Sequence, residues 1–203
     1  WKTDLVPDAF RAWCESWSTF NPDWDRQMWS DRRLLEFVAE HYPEFLDLYC
    51  SLPSGVMRAD AGRYMLLHHF GGLYADIDTE CLAPLDVIAD ETRVVLSLEP
   101  STHWQPIASQ RGLPHLIFNG IMASPAGHPF WLHVLGLMQK NREARNVIDA
   151  TGPCLLTAAR LSFSDPSAIS LAPSTLFNGR DKEGNEPDGR AGGQRLALHH
   201  WAG

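Results

Sequence analysis

Two aspartates set two residues apart, Asp76 and Asp78, are the side chains in this sequence best suited to chemistry. They close the stretch Gly71-Gly72-Leu73-Tyr74-Ala75-Asp76-Ile77-Asp78. Two carboxylates held together repel each other unless something positive lies between them. A hard divalent cation with oxygen ligands is the natural partner. Such a cation also takes diphosphate oxygens and neutralises charge building on a departing nucleoside diphosphate. Upstream, Asp60 and Arg63 are three residues apart, so on a helix they share a face. Asp60 can accept hydrogen bonds from sugar hydroxyls, and Arg63 can donate to hydroxyls or phosphate. A surface ion pair is the competing reading of those two, and it would be worth little. A bare D-x-D arises often by chance. The order Asp60, Arg63, Gly-Gly, Asp76, Asp78 is far more specific.

These residues need elements to position them. The spacing predicts a helix over 56–70, stopped by Gly71-Gly72. Leu73 to Asp78 then reads as a strand, with Tyr74, Asp76 and Asp78 on one face and Leu73, Ala75 and Ile77 on the other. Ser30 or Asp31 caps a helix to about Tyr42, with Leu34, Leu35, Val38 and Tyr42 as its apolar face and Pro43 as its stop. Further helices are predicted over 44–51, 128–140 and 153–162, and strands over 93–98, 116–123 and 196–198. Residues 7–29 read as aromatics mixed with turn formers, 101–115 as a loop and 178–194 as a mobile loop. Helices alternating with short apolar strands argue for an α/β layered fold.

The chain has 203 residues and is 44% apolar, enough for one domain, 1–203, with a real core. Its net charge of −8, with no block of Lys and Arg, excludes the basic footprint of a nucleic-acid binder. An acidic chain that handles phosphate needs local positive charge, which a cation can supply. No apolar run approaches the ~20 residues of a membrane span. Cys14, Cys50, Cys81 and Cys154 form no C-x-x-C pair and leave the redox compartment open. The abrupt ends, at Trp1-Lys2-Thr3 and Trp201-Ala202-Gly203, read as those of a piece truncated on both sides.

Arg58-Ala59-Asp60 through Arg63-Tyr64, followed by Gly71 to Asp78, closely resembles the D-x-D sugar-binding region of glycosyltransferase family 32. It is more distantly similar to the clostridial glucosylating toxins. Asn21-Pro22-Asp23-Trp24, Asn119 to Ser124, Thr151-Gly152-Pro153 and His199 to Gly203 extend the resemblance over most of the chain. It implies a GT-A type α/β fold, a Rossmann-like mixed sheet flanked by helices in a single domain. It also implies a nucleotide-sugar donor, a glycan, glycolipid or polysaccharide acceptor, manganese or magnesium as the metal, and retention of anomeric configuration. By the same resemblance Asp76 and Asp78 are the catalytic metal and diphosphate residues, Asp60 and Arg63 hold the donor sugar, and Trp1 packs on the nucleotide base. The pattern His-x-x-Gly, His200 to Gly203, resembles the family's third metal ligand and favours His200 for it, against the reading of His199 and His200 as two histidines on a surface turn. The location expected is the cytoplasm for a bacterial protein and the Golgi lumen for a eukaryotic one.

Three readings come from the residues themselves. Asn119, after a strand, can hydrogen-bond the donor sugar or the acceptor, or simply make a turn before Gly120. Glu99 ends a strand beside Pro100 and reads as a solvated carboxylate rather than an acceptor contact. His68, His69, His115 and His128 read as structural. Two rival functions share the paired aspartates. A haloacid-dehalogenase type phosphohydrolase needs D-x-D-x-T, but Thr79 comes one position too early. The other rival is a non-catalytic carbohydrate-binding relative.

Overall fold

Serine caps and glycine stops set several element boundaries in the computed structural model, which describes residues 2–3, 5–89, 92–185 and 194–202. The order along the chain is α1 (Asp8–Phe20), α2 (Asp31–His41), α3 (Leu46–Ser51), α4 (Gly55–Phe70), β1 (Gly72–Ala75), β2 (Thr79–Cys81), α5 (Asp86–Ala89) and β3 (Val94–Leu98). It continues with α6 (Ser101–Arg111), β4 (Ile117–Ser124), α7 (Pro129–Lys140), α8 (Val147–Ala150), α9 (Pro153–Ser162), β5 (Ile169–Ala172) and β6 (Ala197–His199). Ser30 accepts from the Arg33 N–H to start α2, and Ser54 accepts from the Met57 N–H to start α4. No helix among the described residues is long and apolar enough to cross a membrane.

The main sheet runs β1-β4-β3-β5. β4 is antiparallel to both of its neighbours, while β3 and β5 are parallel. A second, two-stranded sheet pairs β2 with β6 antiparallel. Helices α4 and α7 and α9 cover one face of the main sheet, burying Tyr64, Met65, Phe130, Trp131, Leu155 and Leu156 against Val94, Leu96, Ile117 and Met122. On the opposite face Val95, Phe118, Ile121 and Ala123 pack with Phe177, Leu196 and Ala197. Adjacent β3 residues thus serve different cores, as strand alternation requires.

Two stretches not expected to be helical carry helices. The stretch 7–29 contains α1, and 101–115 contains α6. Helix α1 is held by contacts distant in sequence: Trp17 Nε1 donates to the Thr79 carbonyl at 3.1 Å, and Ser16 Oγ accepts the Cys81 N–H at 2.8 Å. Helix α6 carries Pro106 inside it, which removes a backbone donor and hides the helix from propensity reasoning. The expected strand to Asp78 ends at Ala75, and a turn follows. β2 and β5 were not foreshadowed by the apolar pattern. Residues 186–193, within the expected loop 178–194, lie outside the described residues.

The junction from α4 into β1 depends on Gly71, whose φ of 68° and ψ of −151° suit glycine alone. A Cβ there would sit 2.5 Å from the Ala126 backbone nitrogen, whereas one at Gly72 (φ 76°) would meet nothing within 4 Å. Gly71→Ala is therefore expected to lower stability by more than the ~1–3 kcal/mol of backbone strain alone. Gly72→Ala is expected to cost less. Paired thermal or urea unfolding of the two variants checks this, and equal losses would contradict it.

Candidate functional site

Helix α4 is buried nearly all round, and its buried set includes two charged residues, Asp60 and Arg63. A buried charge persists only when paired and hydrogen-bonded. Arg63 Nη2 lies 3.1 Å from Asp60 Oδ1, and Nη1 lies 3.3 Å from Asp76 Oδ2. Nη1 also donates to the Asn119 carbonyl at 2.7 Å, and the guanidinium rests 4.8 Å from the centre of the Tyr74 ring. Burial opposes the charge of Arg63, but Asp76, Tyr74 and Asp60 outweigh it and push its pKa up. One permanently charged guanidinium thus bridges two carboxylates from different elements.

Each carboxylate has further partners. Asp60 Oδ1 accepts from Asn119 Nδ2 at 3.0 Å, and Oδ2 accepts from Thr151 Oγ1 at 2.7 Å. Burial raises the Asp60 pKa despite Arg63, Thr151 and Asn119. Tyr74 Oη donates to Asp76 Oδ1 at 2.8 Å, and burial keeps that phenol protonated by raising its pKa well above the usual range. The Asp76 N–H donates to the Gly120 carbonyl at 2.8 Å. Gly120 has no room for a side chain: a Cβ would fall 2.8 Å from Asp76 Oδ2 and 2.4 Å from the Phe118 ring.

After Asp76 the chain turns. The Thr79 N–H and Oγ1 both donate to the Asp76 carbonyl, and Ile77 and Asp78 occupy the bend. The two aspartates converge because of this turn, rather than by alternation along one strand. Asp78 then meets the β6 segment. Its carbonyl accepts the His200 N–H at 2.9 Å, its Oδ2 accepts the Ala202 N–H at 3.0 Å, and its Oδ1 lies 3.2 Å from His199 Nε2. Burial pushes the Asp78 carboxyl up, but His199 and the Ala202 amide outweigh it and hold its pKa below the ordinary value.

His199, and not His200, stands at the site. Thr79 pairs with His199 in the β2–β6 ladder, which sets the imidazole beside Asp78. His200 points elsewhere: Nε2 is 2.9 Å from Glu80 Oε2, and the ring stacks on Trp13 at 3.8 Å and 7°. Neighbouring residues leaving a strand face opposite ways, so one histidine of the pair is excluded. Among the described residues, Asp76, Asp78 and His199 are the group whose ligand atoms all lie within 4.8 Å of one another. Two carboxylate oxygens and one imidazole nitrogen suit manganese or magnesium, and an Asp78 that stays ionised meets the requirement for a deprotonated ligand.

The other expected site residues fall as follows. Asp60, Arg63 and Asn119 form one network with Asp76, and they are bonded to each other. Trp1 lies outside the described residues. Glu99 is 8% exposed, so it is not a solvated carboxylate. Tyr74 was placed on the right face by alternation but given no role. Thr151 and Gly120 entered only through the resemblance and without the contacts the structure shows, since each acts through a neighbour distant in sequence.

Two outcomes follow. In Gly120→Ala, displacement of Asp76 is expected to abolish any stabilisation by added manganese while the chain still folds, as read by thermal unfolding with and without the metal. The Asp78 carboxyl has a lowered pKa in the fold, so the unfolded chain binds that proton more readily. Its contribution to stability is then complete above about pH 4 and lost as pH falls through the folded value. Metal-free unfolding across this range should show a shallower acid loss in Asp78→Asn.

Residues 7–95 match the family described as "Glycosyltransferase sugar-binding region containing DXD motif". Inositol phosphoceramide mannosyltransferase 3 of Schizosaccharomyces pombe is 35% identical over 220 residues, covering 100% of this chain and 58% of that protein. Mannosyl phosphorylinositol ceramide synthase SUR1 of Saccharomyces cerevisiae is 28% identical, over 77% of this chain and 39% of that protein. The chain thus spans less than two thirds of the length of these curated relatives. Among solved structures, PaToxG glycosyltransferase aligns with a TM-score of 0.53 at 14% identity, covering 78% of this chain and 64% of that one, which shows a shared fold. With its paired aspartates, its mixed sheet and these likenesses, the chain carries in residues 7–95 a glycosyltransferase sugar-binding region of the DXD-containing family, set in a GT-A type fold.

Proposed function

We propose that this chain is the donor-binding core of a metal-dependent mannosyltransferase that uses a nucleoside-diphosphate sugar. The observation that carries the reading is the convergence of Asp76, Asp78 and His199 within 4.8 Å, beside an Arg63 that is itself clamped to Asp76. A divalent cation held by Asp76, Asp78 and His199 would neutralise the donor diphosphate. Arg63 and Tyr74 keep Asp76 oriented, and Asp60 with Asn119 lines the side of the site on which the donor sugar lies. The acceptor hydroxyl attacks the anomeric carbon as the diphosphate leaves. With configuration retained, the departing phosphate takes the acceptor proton on the same face. No protein base is then needed, and rate enhancement comes from positioning and electrostatic stabilisation.

The similarity to inositol phosphoceramide mannosyltransferase 3 supports reading mannose as the sugar and the inositol phosphate headgroup of a ceramide lipid as the acceptor. The phosphohydrolase reading loses support, because Thr79 uses its hydroxyl on the Asp76 carbonyl within the turn.

Thermal unfolding with a panel of nucleoside diphosphates, with and without manganese, tests the site. Ligand at about 100 times its Kd should stabilise by ~2.7 kcal/mol. The shift should need manganese, vanish in Asp78→Ala, weaken strongly in His199→Ala and persist in His200→Ala. Absence of any metal-dependent shift would favour the non-catalytic relative. Mannose transfer from a nucleoside-diphosphate mannose to inositol phosphoceramide then tests the reaction.

A further inference from the structure

Buried polar atoms without partners are rare, and each calls for an explanation. Four of those among the described residues gather around one end of β3: Ser97 Oγ, Glu99 Oε2, Asn178 Oδ1 and His199 Nδ1. Ser97 and Glu99 follow Val95 at two-residue intervals, so they continue the face that Val95 presents to Phe118 and Phe177. Asn178 Nδ2 donates to the Leu98 carbonyl at 3.0 Å, and the Asn178 carbonyl accepts the His199 N–H at 3.2 Å. Asn178 therefore ties the end of β3 directly to the metal-site histidine. Because the carbonyl of Leu98 can only accept, the amide orientation is settled and Oδ1 is the open end. Phe118, the β4 partner of Ser97, lies 5.1 Å from the His199 ring, and Trp201 lies 4.1 Å from it.

Glu99 is the charged member of this group. His103 Nδ1 is 3.7 Å from its Oε2, too far for a hydrogen bond. His103 Nε2 accepts the Lys182 N–H at 3.0 Å, so a neutral ring carries its proton on Nδ1, on the side of Glu99. The His103 and Trp201 rings meet edge to face at 4.6 Å, and both are partly exposed. The carboxylate oxygen of Glu99 and the amide oxygen of Asn178 are acceptors, the Ser97 hydroxyl can do either, and His199 Nδ1 carries the ring proton once Nε2 holds a cation. Their complement is a group with several O–H donors and no negative charge against Glu99. That describes the hydroxyl face of a sugar or cyclitol ring.

We propose that Ser97, Glu99 and Asn178 form a polyol subsite beside the Asp76–Asp78–His199 cluster, taking the hydroxyls of the acceptor ring. The proposal rests on the glycosyltransferase reading and adds where, and by which side chains, the acceptor is held. Ordered water is the other occupant this chemistry allows.

The test uses Glu99→Gln and Ser97→Ala, with myo-inositol as the probe, followed by saturation-transfer NMR on protein loaded with magnesium and a nucleoside diphosphate. Neither substitution breaks a hydrogen bond in the free protein, so unfolding temperatures should equal or exceed the parent's. The parent should bind myo-inositol, and Glu99→Gln should weaken that binding by on the order of 10-fold, the loss expected for a hydrogen bond to a charged group. The nucleotide-induced thermal shift should be the same in both variants as in the parent. The proposal is overturned if the parent gives no myo-inositol signal, if Glu99→Gln binds it as the parent does, or if both variants unfold at lower temperature, which is the mark of bound water or packing. Failure of the proposed function shows separately, as a parent that no nucleoside diphosphate stabilises.

Discussion

The site hangs on the guanidinium of Arg63. It comes from a helix buried on nearly every side, so its charge has no access to bulk water and must be balanced locally. Asp60, one turn earlier on the same helix, and Asp76, across the gap on the chain leaving β1, supply that balance. Removing one partner of such a buried pair typically costs about 3–5 kcal/mol, because the other charge is left uncompensated. The ion pair therefore fixes α4 against the end of β1 and sets the direction of the Asp76 carboxylate. Arg63 also donates to the Asn119 carbonyl, so the irregular part of β4 is drawn into the same geometry. A residue type suited to gripping a sugar or phosphate is here first of all the residue that holds the Asp76 carboxylate still.

Asp78 does the corresponding work on the other side. Its backbone carbonyl and both its carboxylate oxygens engage residues 199–202, so it organises the β6 segment. The small β2–β6 sheet is covered by α1 through Trp17 and Ser16. The site is thus assembled from α4, the turn after β1, β4, Thr151 and the β6 segment. A central carboxylate in such an assembly is ionised in the fold because hydrogen-bond donors surround it, which is also the state a cation requires.

A contrast runs through the same region. Around Asp60 and Asp76 nearly every polar atom is bonded to another, which makes that half rigid and pre-organised. Around the end of β3, Ser97, Glu99 and Asn178 leave polar atoms unbonded. A protein optimised for stability alone would pair or replace them, and such unmet capacity tends to survive where a ligand will use it.

The amino-acid sequence by itself determined the features whose physics is local. Serine caps and a proline stop delimited α2, the Gly-Gly pair ended α4, and Pro153 began α9 at the expected residue. The two-residue spacing of Asp76 and Asp78, after Asp60 and Arg63, was enough to mark the sugar-binding region that the family match covers. What only the tertiary structure decided depends on pairing between distant segments. His199 and His200 are chemically identical and adjacent, and only the register of β6 on β2 chose between them. Helix α1 is secured by bonds to β2, and α6, carrying Pro106, has no legible period of its own. Glu99 looks solvated from its polarity, yet α6 and the 178–182 segment close over it. Short-range propensity cannot encode which strand lies beside which, because that choice is made by the burial of a shared core.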